Sequence, residues 1–239
     1  MGNNMIENIK NLLNIDENEV LRYLQYKNQD LSEEIKNQIQ ESIQLTKETI
    51  NPRCIYKICS VEKCKTEEDE KVVYLKEGNI KFESNDIYNL LSECDECILM
   101  SATLGLEIEK EIRKLTYTDL TKGIIVDTCA TTAIEEVCDT LQYNIEKNLL
   151  KEEKYITMRY SPGYGDLPIE KNKDIIDILN SPKEIGLTVT ESGIMIPRKS
   201  VVALIGISKK RIKKLRRSCE DCGNKDNCKF KKEAKSCGD

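Results

Sequence analysis

Residues 119–150 read as the longest helical stretch of the chain, and its middle, Gly123 to Cys138, is apolar or small on nearly every side. A helix without a continuous polar face is central and buried. The rest of the chain must therefore pack around it. Its small residues, Ala130, Thr131, Thr132 and Ala133, let other backbones come close. Three acids interrupt it, Asp127, Glu135 and Glu136. An acid among apolar neighbours is costly to bury unless paired. Asp127 and Glu135 are eight residues apart, hence near one helix face. Such a carboxylate either meets a cationic ligand group or closes a salt bridge to a Lys or Arg; for Asp127 the salt bridge is expected.

Shorter elements flank this helix. Residues 4–50 read as helical. Asp16 followed by Glu19 has the form of a capping box, and Ser32 can cap a helix carrying Ile35, Ile39 and Ile43. Asn51-Pro52 ends it. Ile55 to Val61 and Val72 to Leu75 are β-like runs, Ser84 opens a short helix, and Cys97 to Thr103 reads as a buried strand before a helix over 106–116. A further helix spans about 169–180 and breaks at Ser181-Pro182. Leu187 to Ile196 and Ser200 to Ile207 are expected to form a pair of strands.

At residue 209 the composition shifts to Lys, Arg and Cys. The boundary predicts a main domain over 1–208, with N-terminal helices at 4–50, and a basic, Cys-rich tail over 209–239. Cys219, Cys222, Cys228 and Cys237 lie within nineteen residues. Four thiolates so spaced can close around zinc or an iron–sulfur cluster, and spacing does not separate the two; free reduced thiols are the third alternative. The basic run Lys209 to Arg217 could grip RNA or an acidic protein, but it lacks aromatic residues for base stacking. The net charge of −5 also argues against wholesale nucleic-acid binding. No His is present, which excludes a His base, a His metal ligand and a Ser-His-Asp triad. The longest apolar runs, such as Val201 to Ile207, are too short to cross a bilayer. The N-terminus shows no signal peptide, and Ile6 stands where myristoylation wants Ser or Thr. The chain reads as cytoplasmic, where eleven Cys are thiols and metal ligands rather than a disulfide framework. Cys94-x2-Cys97 reads as two core or near-core thiols.

The run Arg159 to Pro168, Arg-Tyr-Ser-Pro-Gly-Tyr-Gly-Asp-Leu-Pro, is too stiff and too particular for a linker. The Arg159 guanidinium is a planar fork suited to a carboxylate or phosphate. The backbone around Gly163 and Gly165 is unshielded, and Tyr164 could stack or donate a hydrogen bond. The alternative is a rigid turn whose Arg pairs with an acid such as Asp166.

Several motifs together resemble the activation (reactivation) domain of cobalamin-dependent methionine synthase, in its free-standing, clostridial-type form. They are Val20-Leu21-Arg22-Tyr23-Leu24, Ala102-Thr103-Leu104-Gly105, Ala133-Ile134-Glu135, Arg159 to Pro168, Ile185 to Thr188, and Pro197 to Val201. The resemblance implies an α+β fold with a twisted, largely antiparallel sheet flanked by helices. It implies binding of S-adenosylmethionine and reductive methylation of cobalamin carried by a partner, either methionine synthase or another corrinoid protein. A flavodoxin- or ferredoxin-type protein would supply the electron. Carried over by motif, Arg159 would hold the methionyl carboxylate, Ser161 and Gly163 would offer backbone contacts, Tyr164 would line the pocket, and Glu135 would be the acidic contact. The family's acidic ligand contact near the N-terminus and its late aromatic contact have no counterpart motif here. No catalytic residue is expected, and the chain would be an accessory part of a methyltransferase system. The competing expectation is a metal-stabilised protein- or RNA-binding module with a vestigial pocket.

Overall fold

The computed structural model describes residues 4–5, 9–26, 30–65 and 71–211. The four tail cysteines, Cys219, Cys222, Cys228 and Cys237, lie outside the described residues. In chain order the elements are β1 (Asn4–Met5), α1 (Glu17–Tyr23), α2 (Glu33–Thr49), β2 (Arg53–Lys65), β3 (Lys71–Leu75), β4 (Ile80–Glu83), α3 (Asn85–Leu90), β5 (Glu96–Thr103), α4 (Leu106–Thr118), α5 (Leu120–Leu150), β6 (Tyr155–Ile156), α6 (Lys171–Leu179), α7 (Ser181–Glu184), β7 (Thr188–Val189), β8 (Met195–Ile196) and β9 (Ser200–Ser208). Short 3-10 turns cover Ile9–Leu12 and Lys76–Gly78.

Side-chain caps mark helix starts where the sequence offers them. Ser32 accepts from the Ile35 N–H at 3.3 Å, Ser84 from Ile87 at 3.1 Å, and Asp119 from Lys122 at 3.1 Å. Asp16 caps α1 through the Asn18 N–H, but Glu19 turns to Arg22 and does not complete a capping box.

The sheet runs β4-β3-β2-β5-β9-β6, and every pairing in it is antiparallel. The second expected β-like run, Val72 to Leu75, is β3, and the first, Ile55 to Val61, lies within β2, one strand of 13 residues. It pairs β1 and β3 at different points along one edge and β5 along the other. The central strands are buried on both faces. Ile98, Met100 and Ala102 of β5 join Ala203, Ile205 and Ile207 of β9 in a core with residues of α1, α2, α4 and α5. Cys97 and Leu99 join Val202 and Leu204 in a second core with residues of α3 and α6 and with Ile185 and Leu187 beyond α7. Helices on both faces explain why β5 and β9 read as apolar runs rather than alternating ones.

One expected pairing is corrected. The segment Leu187 to Ile196 does not pair with Ser200 to Ile207. It folds back on itself as the β7–β8 hairpin, while β9 joins the main sheet between β5 and β6. The Gly193 turn and Thr190 close that hairpin locally, with Thr190 N–H bonded to the Ile194 carbonyl at 2.9 Å.

Helix α5 has 31 residues and is buried along most of one side, including Ala130, Ala133, Val137, Cys138 and Leu141. Asp127 pairs with Lys199 at 3.0 Å, as the expected salt bridge.

Candidate functional site

The candidate site forms where the chain leaves β6 and follows the edge of β9. The Thr157 N–H donates to the Gly206 carbonyl at 3.0 Å, and Tyr160 exchanges both backbone bonds with Leu204 at 2.9 and 2.8 Å. Successive side chains on such an extended edge point to opposite faces. Arg159 therefore lies over α5, while Tyr160 enters the core beside α3 and α6.

The α3 side is an anchor. The Tyr160 hydroxyl donates to the Asp86 carboxylate at 2.5 Å and is also 3.1 Å from the Tyr164 carbonyl. Asp166 accepts from the Ser84 hydroxyl, from the Asn85 N–H at 2.7 Å and from the Asp86 N–H at 3.2 Å. Burial by itself would raise the Asp166 carboxyl, but these donors outweigh it and hold it below the usual carboxylate range. Gly165 sits at φ +53°, and a Cβ there would overlap the Asp86 carboxylate and the Tyr160 hydroxyl. The position admits no side chain.

The α5 side carries the charge. Arg159 Nη1 is 2.6 Å from Asp139 Oδ1 and 3.1 Å from Gln142 Oε1, and its Nη2 is 3.4 Å from Glu135 Oε2. Arg159 does pair with acids, as the rigid-turn alternative expected, but with Glu135 and Asp139 of α5 rather than Asp166, which belongs to the other side of the loop. Glu135 and Asp139 are half-exposed, at 48% and 60%, and Arg159 is at 20%. Burial pushes the Glu135 carboxyl up; the like charge of Asp139 adds to the rise, and Arg159 opposes it. Cys138 lies beneath, fully buried, with its thiol pushed well above the ordinary range by burial.

The N-terminal helix α1 completes the rim. Arg22 bonds Glu19 at 2.6 Å and stacks over the Tyr23 ring at 4.1 Å. Burial raises the Tyr23 hydroxyl, and the Glu135 charge contributes to the rise, so α1 and Glu135 share one local field.

The structure thus brings together two of the five sequence-predicted ligand residues, Arg159 and Glu135. The other three, Ser161, Gly163 and Tyr164, lie on the loop beyond. The Gly163 N–H is already bonded to the Leu167 carbonyl at 2.8 Å, and the Ser161 carbonyl accepts the Tyr164 N–H at 3.3 Å. The Tyr164 ring is 66% exposed. Asp139 and Gln142 were not foreseen. They stand four and seven residues after Glu135, the spacing that puts them on its helix face, and that periodicity was the available signal. Two clefts, of about 250 and 380 Å³, lie elsewhere, near Gly105 and between Glu109, Arg113 and Lys199; neither is lined by Arg159. Among the described residues no group of metal-ligating side chains forms a centre, and no helix is long and apolar enough to cross a membrane.

Residues 99–213 match the family model described as vitamin B12 dependent methionine synthase, activation domain. That stretch runs from β5 through the Arg159 loop to β9. A crystal structure of the MetH reactivation domain bound to AdoHcy superposes with a TM-score of 0.61 at 16% identity, over 89% of this chain and 80% of that one. The mixed helical and antiparallel architecture is the reactivation-domain fold. No curated protein sequence matched the chain.

Proposed function

We propose that the chain is a reactivation subunit for a cobalamin-dependent methionine synthase or another corrinoid methyltransferase, and that it binds S-adenosylmethionine at the Arg159 site. The observation that carries the reading is Arg159 fixed beside Glu135 and Asp139 on a loop whose far side is locked to α3. A guanidinium fork takes the methionyl carboxylate, and adjacent carboxylates take the ammonium. The family signature over residues 99–213 and the fold shared with an AdoHcy-bound domain support that choice of ligand.

In this reading the cobalamin is carried by the partner. When docked it would supply the metal centre that accepts the methyl group, with the electron coming from a flavodoxin- or ferredoxin-type donor. This chain's residues bind and orient the donor. Arg159 fixes the amino-acid end, Glu135 sets its direction, and the anchored loop keeps both from shifting.

Anaerobic calorimetric titration with S-adenosylmethionine tests the reading in wild type and Arg159→Ala. The substitution is expected to weaken binding at least about tenfold, the order of a lost charge-assisted pair. Stability should change by less than about 1 kcal/mol, because the acids left behind are half-exposed. A wild type that binds no ligand, alone or with a corrinoid partner, would overturn the assignment.

A further inference from the structure

The charges around Arg159 do not balance. Arg159 faces two carboxylates, Glu135 and Asp139. Arg22 also reaches the field of Glu135, but it is bonded to Glu19, so that pair adds no net charge. Asp139 makes the closest contact to Arg159, at 2.6 Å, but it does not hold the guanidinium alone. Gln142 bonds the same Nη1 at 3.1 Å, and Glu135 takes Nη2. An amide oxygen at 139 could accept from Nη1 as the carboxylate does, so the charge there is separable from the geometry.

We infer that Asp139 is a specificity-determining residue that selects the sulfonium-bearing donor over its demethylated thioether, through the excess negative charge it adds beside Arg159. The inference rests on the ligand reading above. A zwitterionic amino-acid end brings one carboxylate and one ammonium, which leaves the excess unchanged. S-adenosylmethionine brings a further positive charge at sulfur and neutralises it. S-adenosylhomocysteine carries no charge at sulfur and leaves the extra carboxylate uncompensated. The site therefore holds the charged donor and releases the spent form, which suits a protein that must bind again after each methyl transfer.

The test is the ratio of the two dissociation constants, measured by calorimetry on the full chain. Wild type should favour S-adenosylmethionine. In Asp139→Asn that ratio should fall roughly fivefold, the size of one partly screened charge across a water-exposed site. Asp139→Glu, which keeps the charge, should retain most of the preference, and raised salt should erode it in wild type more than in Asp139→Asn. Asp139 is 60% exposed, so folding is not threatened. If Asp139→Asn weakens both ligands equally and the ratio stands, Asp139 only positions Arg159 and the inference fails while the ligand site survives. If wild type binds neither compound, the ligand reading itself fails and takes the inference with it.

Discussion

Arg159 and Tyr160 are neighbours in sequence, yet they head two different kinds of environment. Behind Tyr160 every polar group is matched: its hydroxyl meets Asp86, and Asp166 draws three donors from the start of α3. Around Arg159 the matching is incomplete, with two half-exposed carboxylates and one amide for one guanidinium. Under the proposed reading, the difference follows from what each side does. A loop that presents a charged group needs one face fully satisfied so that it does not move, and another left open so that a ligand can enter it. Such a contrast between a rigid support and an unsaturated group is what a preorganised binding site requires.

The comparison is broken most forcefully at Gly165. Gly165→Val should destabilise the protein by about 3 kcal/mol or more, since it combines a positive φ with overlap onto Asp86 and Tyr160. Urea unfolding measures this, and ligand affinity should fall with it, because the Arg159 edge depends on the same anchor. A mild loss, under about 1 kcal/mol, would mean that the loop shifts freely and that the support is not rigid.

Asp166 tests the support electrostatically. Its carboxyl is held below the usual range, the case in which ionisation favours the folded state. The stability it contributes is present above the unfolded carboxyl's pKa of about 4 and is lost as pH falls through the lower folded value. Asp166→Asn should cost about 1–2 kcal/mol at neutral pH, the range for losing a capping carboxylate. It should also flatten the acid limb of the stability–pH curve. Parallel acid limbs for variant and wild type would show that Asp166 carries no such linkage.

Much of this arrangement was legible in the sequence. Local signals carried the elements: Ser32 and Ser84 announced their helices, and the apolar Gly123–Cys138 run announced a central helix. Arg159 and Glu135 were named, and they do meet. What remained hidden depends on contacts far apart in the chain. Asp166 reaches residues more than eighty positions away, so the sequence could not reveal that it caps α3 rather than pairing with Arg159. The β7–β8 hairpin was misjoined to β9 for a similar reason. Two apolar segments in succession look like partners, and only the prior claim of β5 and β6 on both edges of β9 excludes it. Asp139 and Gln142 were within reach, because helical spacing from Glu135 places them on the same face.

The smallest expected stability effect belongs to Tyr164, and it decides on which side of the comparison the loop tip falls. Its backbone serves the anchor, with the carbonyl 3.1 Å from the Tyr160 hydroxyl, while its ring is 66% exposed. Tyr164→Ala keeps the carbonyl and removes only the ring. Stability should therefore change by no more than about 0.5 kcal/mol, as for an ordinary surface substitution. If the ring closes over a bound donor, affinity for S-adenosylmethionine should still fall severalfold, roughly 1 kcal/mol of aromatic contact. Calorimetry beside urea unfolding separates the two readouts. Loss of affinity without loss of stability would extend the open side of the loop to its tip. Loss of neither would confine the ligand to the α5 face, where Arg159, Glu135 and Asp139 would have to hold it without an aromatic lid.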